Sequence, residues 1–341
     1  MAPSRGGRPA RYIGLVSSAG HAVGVKIAQD HVTFVEVGID GAVLRNASEP
    51  FDPQSRQVLS VLGKLVKTFI SNGGDRTVLG VGIGVPGVID EEEIGTVGST
   101  LLGWNNVTLG RHLQRELDLP VLVDNNVNAL SIAELLYGRA QGHEEVLVIT
   151  IGTGVGAGII SGGKVLRGYR GGAGEIGHVP YVEDGPLCQC GARGCVEALI
   201  GQSALMAEAE RIGIPNAAGY DSLVAAARHE NGAAQQIFAD AGHILGRTLA
   251  GAVNILCPEL VILSGEGVVA WEYWELGFEP AFRRALVPHN VNVPVLVEAW
   301  QDERWAQGAA SLVLATPFDN GRNTGRQGRL VRERLQSLAE V

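Results

Sequence analysis

Apolar residues along this chain fall into short alternating runs and longer helical-period runs that succeed one another from end to end. AVGVKI, VTFVEVGI and AVLRNAS follow in quick succession, separated by Gln-Asp and Asp-Gly turn signals, and predict three antiparallel strands. Residues 54–71 carry apolar positions at helical spacing, with Pro53 ahead as a helix opener. VLGVGIGVPGVID (78–90) predicts a buried strand running into a Pro-Gly turn, then a Trp-Asn-Asn loop at 104–106 and a short helix ending near Leu117. VLVDNNVNALSIAELLYG (121–138) predicts a strand, a polar turn and an Asn-capped helix stopped by Gly138.

The second half repeats the alternation. VLVITIGTGVGAGIISGGKVL (146–166) predicts a glycine-broken hairpin, residues 203–257 are mostly helical with breaks at GIPN and HENG, and ELVILSGEGV (259–268) is a buried strand. A helix (270–286), a strand (294–300) and a final apolar helix (304–315) follow, while the arginine-bearing tail from Phe318 predicts a solvated, partly helical extension. No repeat of 20–50 residues is visible by eye. Alternating strands and helices predict an α/β protein throughout.

Length and composition narrow this picture. A chain of 341 residues is long for one core and predicts two lobes. With 45% hydrophobic, 18% charged and only 5% aromatic residues but 48 glycines, it suits a soluble α/β protein with many tight turns. No apolar run has the length of a membrane span and MAPSRGGRPAR lacks the apolar segment of a signal peptide, so the cytoplasm is the default expectation. A net charge of −9 exerts no general pull on nucleic acid.

The candidate chemistry centres on His178, Cys188, Cys190 and Cys195, a His-x9-Cys-x-Cys-x4-Cys pattern. This is a donor set of the size that zinc takes in a closed tetrahedral structural site, with Gly191 and Gly194 letting the chain turn tightly. Four protein ligands leave no open position for activating water, so the metal would act as a staple. The alternative is a disulfide or scattered thiols; a Cys-x-Cys pair bridges poorly, and Cys257 lies in an apolar run where a buried inert thiol is the ordinary reading.

GVPGVID, DNNVNA, IGTGVGAGII, GGAGEIGH and CQCGARGCVE together resemble the ROK family of sugar kinases and sugar-responsive repressors, over roughly residues 5–316. The resemblance implies the actin-like ATPase (ribonuclease H-like) two-lobed α/β fold with a structural zinc loop at 178–195. It also implies an N-terminal lobe over 12–125 after a linker-like leader (1–11), a C-terminal lobe over 126–303, a closing helix (304–317) packed back on the N-terminal lobe, and an Arg-rich tail (318–341). Sugar would be held by Glu175, His178, Glu197, Asn125 and Asn126, with Gly87 and Asn105 where family loops approach it; Gly87 equally suits a turn alone, and the alternative for the two glutamates, disfavoured inside this box, is a solvated loop. Family resemblance further implies a dimer or tetramer.

Two departures from the kinase pattern bear on activity. Kinases of the family place an aspartate general base second in an Asn-Asp pair; this chain has Asn125-Asn126, and an amide has no usable basicity near neutral pH. The family's first phosphate loop, Asp-x-Gly-Gly-Thr-Lys, is replaced by Lys26-Ile27-Ala28-Gln29-Asp30-His31, with Asp30 set to repel phosphate. The second phosphate loop survives as Gly152, Thr153, Gly154 and Gly156, while Glu266 adds negative charge nearby. The pattern therefore predicts a sugar-binding sensor of a ROK-type regulator without efficient kinase activity. The alternative is an ATP- and Mg-dependent hexose or N-acetyl amino sugar kinase. The Gly-Arg-Pro leader resembles the join to a winged helix-turn-helix module in ROK repressors, so DNA would be reached only through such a module; a fragment of a longer repressor and a stand-alone sensor remain equally open.

Overall fold

The structure, a computed structural model, describes residues 20–74, 76–90, 95–214, 219–316 and 327–339. The leader at 1–11 lies outside the described residues. Elements run β1 (His21–Ile27), β2 (His31–Gly38), β3 (Val43–Pro50), α1 (Val58–Ser71), β4 (Val78–Val85), β5 (Val88–Asp90), β6 (Thr96–Ser99), β7 (Trp104–Val107), α2 (Leu109–Leu117), β8 (Val121–Asn125) and α3 (Asn126–Tyr137). They continue with β9 (Val146–Ile151), β10 (Val155–Ser161), β11 (Lys164–Val165), α4 (Glu197–Ile200), α5 (Gln202–Arg211), α6 (Tyr220–Arg228), α7 (Gly232–Leu256), β12 (Leu260–Ser264), α8 (Trp271–Ala285), β13 (Val295–Val297), α9 (Asp302–Ala315) and α10 (Gln327–Ala339).

Two five-stranded mixed sheets carry the molecule, ordered β3-β2-β1-β4-β8 and β11-β10-β9-β12-β13. In each, the first three strands in sequence pair antiparallel, and two parallel strands then add beside the first. The two halves thus share one topology that leaves no visible repeat in the sequence, because the duplicated feature is the strand order and not the side chains. The uniformly buried runs VGVKI, VGIGV and VLVITI fit strands covered on both faces.

Glycines set how closely the helices approach these sheets. A Cβ on Gly24 in β1 would sit 1.9 Å from the Ala306 carbonyl oxygen, and one on Gly82 in β4 would sit 1.8 Å from that of Ala309, so α9 lies directly on the backbone of the first sheet. A Cβ on Gly308 of α9 would meet the α3 backbone near Ala129 at 3.0 Å. The two helices therefore cross at small residues between the halves, and their N-terminal ends both reach the same cavity.

Several local expectations are corrected. Helix α1 begins at Val58, not beside Pro53, because residues 53–57 form turns held by Asp52 and Ser55 side chains and by the Trp104 indole, which donates to the Pro53 carbonyl at 2.8 Å. The segment at 104–106 is strand β7 and not a loop; it pairs with β6 and buries Trp104 while Asn105 faces out. Cys257 is exposed at the left-handed C-cap of α7, so it is not a buried thiol. The tail is helical over 327–339 and packed, not solvated: Val331 is fully buried, and the Gln327 amide bonds both the N–H and the carbonyl of Val123, covering the free edge of β8.

Where α3, α9 and the segment after β13 meet, Glu134 is buried beside Glu298, Arg304 and Arg139. Burial pushes its carboxyl up from 4.5 to about 7; the Arg139 amide and Arg304 oppose this, and the charge of Glu298 adds to it. The folded state thus holds this proton more tightly than the unfolded chain. The associated stability is complete below pH 4.5 and is lost as pH rises through about 7. Glu134→Gln, which keeps a neutral acceptor for the Arg139 amide, is expected to gain on the parent between pH 5 and 8 in urea unfolding midpoints. Parallel pH profiles for the two proteins would show that this carboxyl is not the source.

Candidate functional site

A cavity of about 930 Å³ opens between the two sheets. It is lined by Gly87, Asn125, Asn126, Glu175, His178 and Glu197, and also by the Lys26–His31 segment, Gly152–Gly156, Glu266, Trp300, Asp302 and Trp305. Six of the seven residues expected to hold sugar are thereby brought together. The exception is Asn105, which stands exposed on β7 and does not line the cavity.

Asn125 ends β8 and caps α3: its Oδ1 accepts from the Val127 amide at 2.8 Å, and its Nδ2 donates to the Gly87 carbonyl at 2.9 Å. One N–H and one lone pair remain for a ligand. Gly87 (φ 129°) adopts a backbone conformation suited to glycine, and a Cβ there would lie 2.3 Å from the Gly98 carbonyl, so the turn itself requires glycine. Asp124, beside them, is buried and points away from a base role: it is clamped by Arg167 at 2.7 Å and accepts from the Asn125 amide and the Asn128 side chain. Asn126 opens α3 half-buried on the cavity wall.

Glu175 and His178 belong to a short 3-10 turn, Ile176–His178, under β10. Burial raises the Glu175 carboxyl above its ordinary range, with His178 opposing and Glu197 adding. The ring of His178 faces two ways: Nδ1 lies 3.4 Å from Cys188 Sγ, while Nε2 lies 3.7 Å from Glu175. The ligand atoms of His178, Cys188, Cys190 and Cys195 all lie within 4.8 Å of one another, and the cysteines are unbridged. Antiparallel bridges Pro180–Cys195 and Leu187–Arg193 fold this loop back, and Gly194 (φ 70°) allows it, since a Cβ would meet the Val182 carbonyl at 1.7 Å. One imidazole and three thiols so close, two of them buried, fit a single tetrahedral ion of the zinc type.

The glycine-rich turn between β9 and β10 is already occupied. Glu266 accepts from the Thr153 amide at 3.2 Å, and Glu197 accepts from the Val155 amide at 3.0 Å. A Cβ on Gly152 would sit 2.3 Å from the Glu266 carboxylate, and one on Gly154 would sit 2.9 Å from that of Glu197. The chain's own carboxylates thus lie close against these two glycines.

At the other loop, Lys26 is buried and ion-paired with Asp302 at the start of α9, which also accepts from Thr33 and lies 3.1 Å from His31 Nε2. Its ammonium stands 5.2 Å from the ring centre of Trp300 and 5.5 Å from that of Trp305. Burial alone would raise the Asp302 carboxyl, but Lys26 and the hydrogen bonds from Lys26, Thr33 and His31 hold it below its ordinary range. Asp30 lines the cavity with an exposed side chain and pairs with His31 at 2.7 Å. Trp300, Asp302 and Trp305 were not anticipated; two of the chain's five tryptophans flanking an aspartate at a helix start was the available signal.

The comparisons with known proteins fit this geometry. The model of the ROK family matches residues 22–316. The chain belongs to the ROK family. Over 331 residues it is 26% identical to the xylose repressor of Caldicellulosiruptor bescii, covering 92% of this chain and 82% of the relative. It is 30% identical over 257 residues to the glucokinase of Thermotoga maritima, covering 71% of this chain and 81% of that one. Its structure matches a Streptomyces griseus ROK glucokinase solved with glucose and AMPPNP at a TM-score of 0.75 and 28% identity, covering 86% of this chain and 99% of that chain. This ROK protein therefore has both repressors and kinases among its relatives. Among the described residues, no helix is long and apolar enough to cross a membrane.

The Lys26–Asp302 pair gives a direct test of how this site is held. Asp302→Ala leaves a buried ammonium unpaired, and the expected loss in chemical denaturation is toward the lower end of about 3–5 kcal/mol, since Asp302 keeps some solvent contact. Replacing both, Lys26→Met with Asp302→Leu, is expected to recover most of it. Equal losses in the single and double variants would mean that the pair is not coupled.

Proposed function

We propose that this ROK protein is a sugar-binding sensor, the effector-binding part of a transcriptional regulator, without efficient phosphoryl transfer. The observation that carries this reading is the Glu266 carboxylate seated on the Thr153 amide of the glycine turn. A phosphate brought there would have to displace a carboxylate of like charge. Three features support the same reading: Lys26 is neutralised by Asp302, the first loop has no glycine to admit phosphate, and Asn126 stands where the family's kinases place their base. Losing a general base costs on the order of 10²–10⁴-fold in rate.

The sugar would lie among Asn125, Asn126, Glu175, His178 and Glu197. Zinc held by His178, Cys188, Cys190 and Cys195 would fix His178 directly and Glu175 and Glu197 through the loop it closes. Binding between two halves joined by α3 and α9 would bias their relative arrangement, and so the presentation of any attached DNA-reading module. The second reading, an ATP-dependent sugar kinase, draws on the resemblance to the Thermotoga maritima glucokinase.

Mass spectrometry of hexoses and N-acetyl amino sugars incubated with Mg-ATP separates the two. No phosphorylated product is expected, together with a sugar-dependent rise in melting temperature that Mg-ATP alone does not produce. Clear turnover on any sugar would establish the kinase reading. Removing the metal with a chelator, or Cys190→Ser, is expected to lower the melting temperature and abolish sugar binding; full sugar affinity in metal-free protein would remove zinc from the account.

A further inference from the structure

We propose that the ligand is an uncharged sugar of two or more rings, whose second ring occupies the half of the cavity that a nucleotide would fill in a kinase. The inference rests on the sensor reading above and specifies its ligand class. Three observations carry it, beginning with space. A single hexose, with about a dozen non-hydrogen atoms, fills a fraction of a continuous cavity of about 930 Å³, which stands near the top of the roughly 300–1,000 Å³ range of small-ligand sites. Glu175, His178 and the Asn125–Asn126 turn offer polar groups for one ring, and the same lining continues to Trp300 and Trp305.

Charge is the second observation. Five carboxylates line the cavity, those of Asp30, Glu175, Glu197, Glu266 and Asp302, against one lysine, which Asp302 neutralises. No arginine lines it among the described residues. A phosphate, whether of a nucleotide or of a sugar 6-phosphate, meets repulsion there, whereas sugar hydroxyls donate well to carboxylates. Two amides of the glycine turn are already taken, since Glu266 and Glu197 accept from Thr153 and Val155.

The third observation is the character of the far wall. In a chain with 5% aromatic residues, Trp300 and Trp305 both stand at this end, Trp305 buried and Trp300 partly exposed. The Lys26 ammonium stands 5.2 Å and 5.5 Å from their ring centres, and with Gln29 and Asp302 also in the lining this wall mixes indole carbon with hydrogen-bonding groups, the mixture a pyranose ring presents in reverse.

Isothermal titration of the zinc-loaded full chain tests this, using glucose, N-acetylglucosamine and xylose, their β-1,4-linked disaccharides, and glucose 6-phosphate. One disaccharide is expected to bind at least about tenfold tighter than its own monosaccharide, and glucose 6-phosphate at least about tenfold more weakly than glucose. In Trp300→Ala the advantage of that disaccharide should shrink to within about twofold. The comparison on the unaltered protein decides the matter even where that variant does not fold. A monosaccharide that binds as tightly as every disaccharide, or a phosphate that binds more tightly than its parent sugar, overturns the proposal while leaving the sensor reading intact. Failure of every sugar to bind overturns both.

Discussion

The close seating of α9 on the backbone of β1 and β4 is the constraint from which the rest of the site follows. It exists because Gly24 and Gly82 offer no side chain where the Ala306 and Ala309 carbonyls pass, and because Gly308 lets the same helix cross α3 at Ala129. That seating fixes the first turn of α9, and with it Asp302 against Lys26 and Thr33. It equally fixes α3, whose N-cap and first residue present Asn125 and Asn126 to the same cavity. A buried ion pair and a set of cavity-facing amides are thus held in register by contacts between small residues in which neither takes part.

A second organising element is the loop closed by His178 and the three cysteines. Its turns depend on backbone conformations at Gly191 and Gly194 that other residues rarely adopt, and its outcome is the placing of Glu175 and Glu197 on one side of β10. Glu197 has two duties here, since its carboxylate both lines the cavity and accepts from the Val155 amide.

Much of this was legible in the sequence. Strand and helix periods gave the order of the elements, because buried strands and amphipathic helices bury different spacings of apolar residues. The spacing of His178, Cys188, Cys190 and Cys195 marked one loop because donors this close along the chain can converge without long-range help. Other features were hidden for physical reasons. Glu266 and Glu197 reach Gly152 and Gly154 from distant segments, so residue order alone does not show that two amides of this glycine run are met by the chain's own carboxylates. Trp300 and Asp302 reach the cavity only through the packing of α9, and the docking of α10 depends on one glutamine finding the edge of β8. The shared strand order of the two halves lies in the backbone path, which residue identities do not record.

The carboxylate of Glu266 on the glycine turn has one further consequence. A protein that kept a working nucleotide half would have its conformational balance set jointly by sugar and by the cell's ATP and ADP, through linkage of the two ligands. On the sensor reading proposed above, a half closed to anions from inside would leave the balance between arrangements to sugar supply alone. The reading a sensor gives would then be the same in a starved cell and an energised one.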